Sequence, residues 1–168
     1  MIRLPLPERV PCLSLHQPYA GLCAAKPPDA PPEAPGLKSL ETRTWPWPVK
    51  RYPFPAVALL CASAKAPEPG LFARIFPRVP DWARPMLRAG LGGKALALIE
   101  VIGCRPLTAE DEPRSFWWDE EENRRRPRFA FELARVEVVF PFPVSGLQKL
   151  ARTVPRELVE EHRIARAA

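Results

Sequence analysis

The sequence predicts a single domain over residues 1–168, of α+β or small-barrel type. A chain of 168 residues buries roughly two-thirds of its unfolded surface, which is enough for one core. Continuously apolar, strand-like runs occur at residues 55–62 (PAVALLCA) and in GKALALIEVIGC, whereas helical spacing is confined to short segments. Strands and helices do not alternate regularly, which disfavours a doubly wound parallel sheet.

The N-terminal part predicts one strand, one helix and a stiff loop. Residues 10–15 (VPCLSL) read as a short buried strand, and HQPYAGLCAAK follows as a short helix that ends at Lys26. Residues 27–36 are rich in proline and lack apolar periodicity, so they predict a rigid loop. Gly36 can then supply the turn that restarts regular structure.

The segment LKSLETRTW predicts a strand with a polar face. Alternation along a strand sends Glu41, Arg43 and Trp45 to the same side. Lys38 is out of phase with these three residues. It can join them only if the strand begins late and leaves Lys38 in the turn after Gly36; otherwise it is a solvated surface lysine.

The C-terminal half predicts helices, a mixed loop and a long strand. Residues 70–90 have helical spacing that prolines break into two pieces, and residues 109–128 read as a loop with an acidic and a basic run that neutralise each other. Residues 129–140 (FAFELARVEVVF) predict a long strand, after which FPFPV turns the chain. Residues 155–166 predict a terminal amphipathic helix.

Composition predicts a cytoplasmic protein with an anionic partner. Lys and Arg number 25 against 19 Asp and Glu, giving a net charge of +6 and a pI of about 9.5. The N-terminus lacks an apolar core of signal-peptide length, and no stretch approaches the roughly 18 apolar residues of a membrane span. Cys12 and His16 lack a second pair that would complete a tetrahedral metal site, so neither a metal nor a cofactor is expected.

Four segments, taken in order, carry a family pattern: SLHQPYAG, GLKSLETR with the following Trp45, LLCASAK and ALIEVIGC. They resemble the ASCH domain, a member of the PUA-like superfamily, and FAFELARVEVVFPFPVSGLQKL is similar to that family's closing strands. The resemblance covers most of the chain. It implies a PUA-like β-barrel of five to six strands with flanking helices, and a cleft lined by these motifs that is proposed to bind RNA in most members.

The candidate ligand-binding residues come from these motifs. Glu41 and Arg43 could hold a base edge and a phosphate, or simply each other. Tyr19 could stack on a base beside free amides at the helix start, or serve only in packing. Two residues, Ser63 and Lys65, are included because the resemblance implies that their strand opens at the same barrel mouth. The complete predicted set is Gln17, Tyr19, Lys38, Glu41, Arg43, Trp45, Ser63 and Lys65.

Three functions remain open from the sequence. The first is a non-catalytic binder of RNA or a nucleotide-like ligand. The second is a small hydrolase, since some ASCH members resemble amidohydrolases that deacylate cytidine with a lysine, a threonine and a glutamate. Here Lys38 and Glu100 match the lysine and the glutamate, but Glu41 stands at the threonine position, where a carboxylate cannot act as the same nucleophile. If the protein is an enzyme, its catalytic residues are Lys38, Glu41 and Glu100, with a water activated by Glu41 or Glu100 and an oxyanion stabilised by Lys38. The third is a protein-interaction module, as in coactivators that carry an ASCH domain.

Three further features leave alternatives open. Glu100, set among aliphatic residues, must either face solvent or lie buried beside a cation. The basic run at residues 124–128 could contact phosphate or pair with its acidic neighbours, and the second is favoured. Trp117 and Trp118 could line the cleft or pack in the core.

Overall fold

The structure, a computed structural model, describes residues 3–27, 29–31, 34–84, 87, 91–144, 150 and 152–163. Within these residues six strands are formed, namely β1 (Arg9–Leu15), β2 (Leu40–Arg43), β3 (Ala56–Ala62), β4 (Lys94–Pro106), β5 (Phe129–Pro143) and β6 (Thr153–Pro155). The described α-helices are short, namely α1 (Tyr19–Ala24), α2 (Leu71–Ile75), α3 (Glu112–Ser115), α4 (Glu120–Arg125) and α5 (Arg156–Glu161).

The six strands form one mixed sheet in the order β2-β5-β4-β3-β1-β6. β1 and β3 are parallel, and the other neighbouring pairs are antiparallel. The predicted α+β class is therefore confirmed. Over the described residues β2 and β6 are edge strands that do not pair with each other, so the sheet is not closed into a barrel.

The central strands are apolar on both faces because both faces of the sheet are covered. On β3, Ala58 and Leu60 contribute to one buried cluster, whereas Leu59 and Cys61 contribute to another on the opposite side. A strand buried on both faces reads as a continuous apolar run, and this explains why β3 and β4 could be recognised from sequence.

The predicted turn at FPFPV is wrong, because β5 continues through Pro143. Phe142 pairs with Ala95 of β4 and is buried, whereas Phe140 points outward and is 58% exposed. The register of β5 against β4 shifts between the pairs Val138–Ala97 and Phe142–Ala95, so the strand accommodates Pro141 at an irregularity, a position where proline is tolerated.

The predicted loop at residues 109–128 is also wrong in part, since it contains α3 and α4. Asp119 caps α4 by accepting a hydrogen bond from the amide of Glu122 at 2.7 Å. Glu120 pairs with Arg124 at 2.8 Å one turn later. The acidic start and basic end of α4 suit the helix dipole, and the predicted mutual neutralisation is confirmed.

The remaining segments follow the prediction with shorter elements. The helical region at 70–90 gives α2 and two 3-10 turns, Phe76–Arg78 and Asp81–Ala83, and most of residues 85–90 lie outside the described residues. The terminal helix is α5, with residues 164–166 again outside them. β6 was not anticipated.

In the part of the chain that is described, no helix is long and apolar enough to cross a membrane.

Candidate functional site

The site begins with a close contact between the chain at Gly36 and the end of α1. A Cβ atom on Gly36 would lie 2.1 Å from the carbonyl oxygen of Cys23, so only glycine fits there. Past this contact, the amide of Lys38 donates to the carbonyl of Leu22 at 3.1 Å. β2 begins only at Leu40, so Lys38 lies before the strand, as its participation in the site requires.

Lys38 is buried, with 1% of its surface exposed. Its ammonium donates to the carbonyls of Leu40 at 2.5 Å and Ser115 at 2.6 Å, and lies 3.3 Å from Oε2 of Glu41. An ammonium has three donors, and three acceptors surround this one. Lys38 is therefore a buried anchor of the site, and the alternative that it is a solvated surface lysine is excluded.

Glu41 lies between two cations. Its Oε1 is 3.1 Å from Nε of Arg43, while its Oε2 faces Lys38. Arg43 also donates through Nη2 to the carbonyl of Ser14 at 2.6 Å, which ties β2 to the end of β1. The guanidinium lies 5.7 Å from the Trp45 ring centroid. The sequence left two alternatives for Glu41 and Arg43, namely contacts with a ligand or an ion pair with each other. In the structure they form the ion pair.

A cavity of about 530 Å³ opens beside these residues, between α1, β2, the segment 65–78 and the segment 112–128. Its aromatic lining consists of Tyr19, Phe116, Trp117 and Trp118. Burial raises the pKa of the Tyr19 hydroxyl above its usual value.

The cavity carries both signs of charge. Its cations are Lys38, Arg43, Lys65, Arg74, Arg78 and Arg128. Its carboxylates are Glu41, Glu68, Glu112, Asp119 and Glu122. Arg78 pairs with Glu112 and Arg128 pairs with Glu122, each at 2.5 Å. The cleft is therefore mixed in charge, and the prediction of a simply basic cleft is not supported.

Two cavity cations differ from the rest. Among the described residues, the side chains of Lys65 and Arg74 have neither an ion pair nor a hydrogen bond, and both are exposed. His16 also lines the cavity, and its buried Nδ1 has no hydrogen-bond partner in the same part of the chain. These polar groups are available to a ligand.

Three of the aromatic rings already contact a cation. The Lys38 ammonium lies 5.4 Å from the Tyr19 centroid, and the Arg128 guanidinium lies 4.1 Å from that of Trp117. Arg78 lies 4.8 Å from the Phe116 centroid. Phe116 itself has φ of 56°, a left-handed conformation that is uncommon for a bulky residue. Backbone strain of this kind concentrates at binding and active sites.

A polar network at the end of β4 positions the segment that carries Phe116 and Trp117. Arg105 donates from Nη1 and Nη2 to the two carboxylate oxygens of Asp111 at 2.7 and 2.6 Å. Asp111 also accepts from the amide of Thr108 at 2.9 Å, completing a capping box just before α3. These hydrogen bonds, led by those from Arg105, lower the pKa of Asp111 from 3.8 to about 2.

The Asp111 network predicts a specific pH dependence of stability. A carboxyl whose pKa is lowered on folding stabilises the protein above its unfolded pKa and loses that contribution as pH falls through the folded value. Asp111 should thus contribute about 2 kcal/mol above pH 4, lost progressively toward pH 2. Urea unfolding of the wild type and Asp111→Asn between pH 2 and 6 tests this. The stability gap should shrink toward pH 2, and a gap independent of pH would contradict the prediction.

Three predicted ligand-binding residues do not line the cavity. Gln17 is buried and its Oε1 accepts from the amide of Gly21 at 3.0 Å, so one of the helix-start amides expected to be free for an anion is already used. Trp45 packs on Phe131 with ring centroids 5.3 Å apart. Ser63 accepts from the amide of Lys65 at 3.2 Å. Of the predicted set, the structure brings Tyr19, Lys38, Glu41, Arg43 and Lys65 together.

Glu100 does not line the cavity either. It is buried on β4 beside Arg135 of β5, whose Nε donates to Oε2 at 2.6 Å while Nη2 contacts Oε1. It is therefore buried beside a cation, the second of the two alternatives from sequence. Lys38, Glu41 and Glu100 do not form one catalytic group, so the arrangement required by the hydrolase alternative is not assembled.

Sequence reasoning missed the contributions of Arg74, Arg78 and Phe116. The two arginines lie on or directly after α2, where an exposed arginine is indistinguishable from any solvated surface residue. Phe116 lies in the segment interpreted as a loop. No signal in the sequence places these residues opposite a cavity, because the approach of their segments is set by tertiary packing alone.

No three His, Cys, Asp or Glu side chains among the described residues lie close enough together to hold a metal ion. No model of a known protein family matches the chain. A search of curated proteins gives no match either.

Proposed function

We propose that this protein is an ASCH-type, PUA-like domain that binds a nucleotide-like ligand or the exposed end of an RNA in the cavity. The observation that carries the proposal is the meeting, in one space of about 530 Å³, of aromatic rings with cations. A volume in the range of roughly 300–1,000 Å³ is typical of sites that enclose one small ligand. Single-stranded RNA is recognised by stacking unpaired bases on aromatic or guanidinium planes.

The arrangement of charges supports binding over catalysis. Lys38 and Glu41 have their polar atoms engaged by the protein, so their role in the proposal is to fix Arg43 at the cavity wall. No acceptor among the described residues binds Nη1 of Arg43, which leaves that group for a ligand oxygen. The cytoplasmic location inferred from the sequence stays a prediction.

Calorimetric measurement of the binding of the four ribonucleoside 5′-monophosphates tests the proposal. We expect the wild type to bind at least one of them and Trp118→Leu to bind it about tenfold more weakly, because stacking contributes about 1–3 kcal/mol per base. Trp82→Leu is the matched control, since Trp82 is 37% exposed and does not line the cavity. Equal losses in both variants, or no binding at millimolar concentration, would overturn the proposal.

A further inference from the structure

The size of the cavity limits how much of a nucleic acid it can enclose. Its volume of about 530 Å³ suits one nucleotide unit. Grooves that bind a strand, such as those of OB-folds, accommodate about 4–16 nucleotides along an open surface. The cavity described above is bounded on several sides, by α1, by the segment 65–78 and by the segment 112–128.

The charges of the cavity divide into a balanced set and a small excess. Four cations, Lys38, Arg43, Arg78 and Arg128, are matched in number by four carboxylates, Glu41, Glu112, Asp119 and Glu122. The ion pairs Lys38–Glu41, Arg43–Glu41, Arg78–Glu112 and Arg128–Glu122 connect most of them. This set contributes no net charge to attract an anion.

Among the described residues, the remaining charges of the cavity all come from one chain segment, residues 65–74. Lys65 and Arg74 line the cavity from this segment together with a single carboxylate, Glu68. Neither cation has an ion pair among the described residues. The excess of one positive charge therefore lies on the 65–74 wall, and guanidinium and ammonium groups are the usual partners of phosphate.

We infer that the cavity holds one nucleotide with one phosphate group, bound at Lys65 and Arg74, while its base lies against the aromatic wall of residues 116–118. The inference rests on the proposed function and narrows its ligand class. A triphosphate would bring further negative charges to the 65–74 wall, whose excess is a single positive charge and which also carries Glu68, and this disfavours it. A longer strand would gain little, because its additional nucleotides would lie outside the cavity.

A ligand series measured by calorimetry at fixed ionic strength tests the inference. The probes are a nucleoside, its 5′-monophosphate, its 5′-triphosphate and a tetranucleotide ending in that monophosphate. We expect the monophosphate to bind about tenfold more tightly than the nucleoside and at least about threefold more tightly than the triphosphate. The tetranucleotide should bind within about threefold of the monophosphate.

Charge-removing variants locate the phosphate. Arg74→Gln and Lys65→Gln should each remove most of the affinity difference between the monophosphate and the nucleoside. Arg156→Gln is the control, because Arg156 is an exposed arginine of α5 outside the cavity, and the difference should persist in it. A tetranucleotide or a triphosphate that binds tightest, or an unchanged difference in Arg74→Gln, overturns the inference while the proposed function stands. Failure of every probe to bind overturns both.

Discussion

Replacing Lys38 with methionine is expected to lower the free energy of unfolding by about 3–5 kcal/mol, the cost of removing one partner from a buried ion pair. Methionine keeps much of the length of the side chain but removes the ammonium. The carboxylate of Glu41 and the carbonyls of Leu40 and Ser115 would then lose a charged donor in a nearly solvent-free environment. Urea unfolding followed by circular dichroism measures the change.

Lys65→Met is the control for this experiment, because Lys65 lines the same cavity but is exposed. Its effect should stay within about 0.5 kcal/mol. Adding Glu41→Gln to Lys38→Met should recover part of the loss, since the buried carboxylate, which has lost one of its two cations, is then itself removed. Equal stability of the two lysine variants would contradict the anchoring role assigned to Lys38.

Replacing Gly36 with alanine is expected to destabilise the protein by about 3 kcal/mol, at the upper end of the usual cost of overpacking. The new Cβ would meet the carbonyl oxygen of Cys23 at 2.1 Å and that of Leu22 at 2.9 Å. Both are backbone atoms of α1, so the clash can be relieved only by separating α1 from the chain leading to Lys38. The variant should therefore also bind ligand more weakly, as calorimetry with the same monophosphates can show.

Gly70→Ala separates this steric effect from a conformational one. Gly70 has φ of +77°, but beyond its two chain neighbours no atom of the described residues lies within 4 Å of the position that an added methyl group would take. Alanine there should therefore cost only about 1 kcal/mol for the left-handed conformation. Thermal unfolding of both variants gives the comparison. A smaller loss in Gly36→Ala than in Gly70→Ala would mean that the contact between Gly36 and α1 does not constrain the fold.

The parts of the fold predicted correctly from sequence are those in which one local rule dominates. β1, β3 and β4 are apolar on both faces, and such runs have few alternatives to a buried strand. α4 was missed because its own residues are all polar or charged, and it bears no buried face that would produce helical periodicity. The extension of β5 was missed because the prolines of FPFPV were interpreted as ending the strand, whereas an irregularity between Val138 and Phe142 accommodates Pro141.

The candidate site was predictable only in its local part. The spacing of Glu41 and Arg43 places them on the same side of a strand, and the glycine before Lys38 allows the late start of β2 that Lys38 needs in order to join them. The burial of Lys38 was not predictable, since it depends on the carbonyl of Ser115, 77 residues away. Arg74 likewise enters the site through packing between distant segments, for which no local pattern exists.

The central claim, that a nucleotide occupies the cavity, is tested most directly by the indole N–H resonances of the five tryptophans during titration with the best-binding 5′-monophosphate. Trp117 and Trp118 line the cavity, whereas Trp82 is exposed elsewhere on the surface. We predict saturable shifts of the Trp117 and Trp118 signals and an unchanged Trp82 signal. Saturable binding that leaves both cavity indoles unmoved would place the ligand elsewhere and contradict the claim.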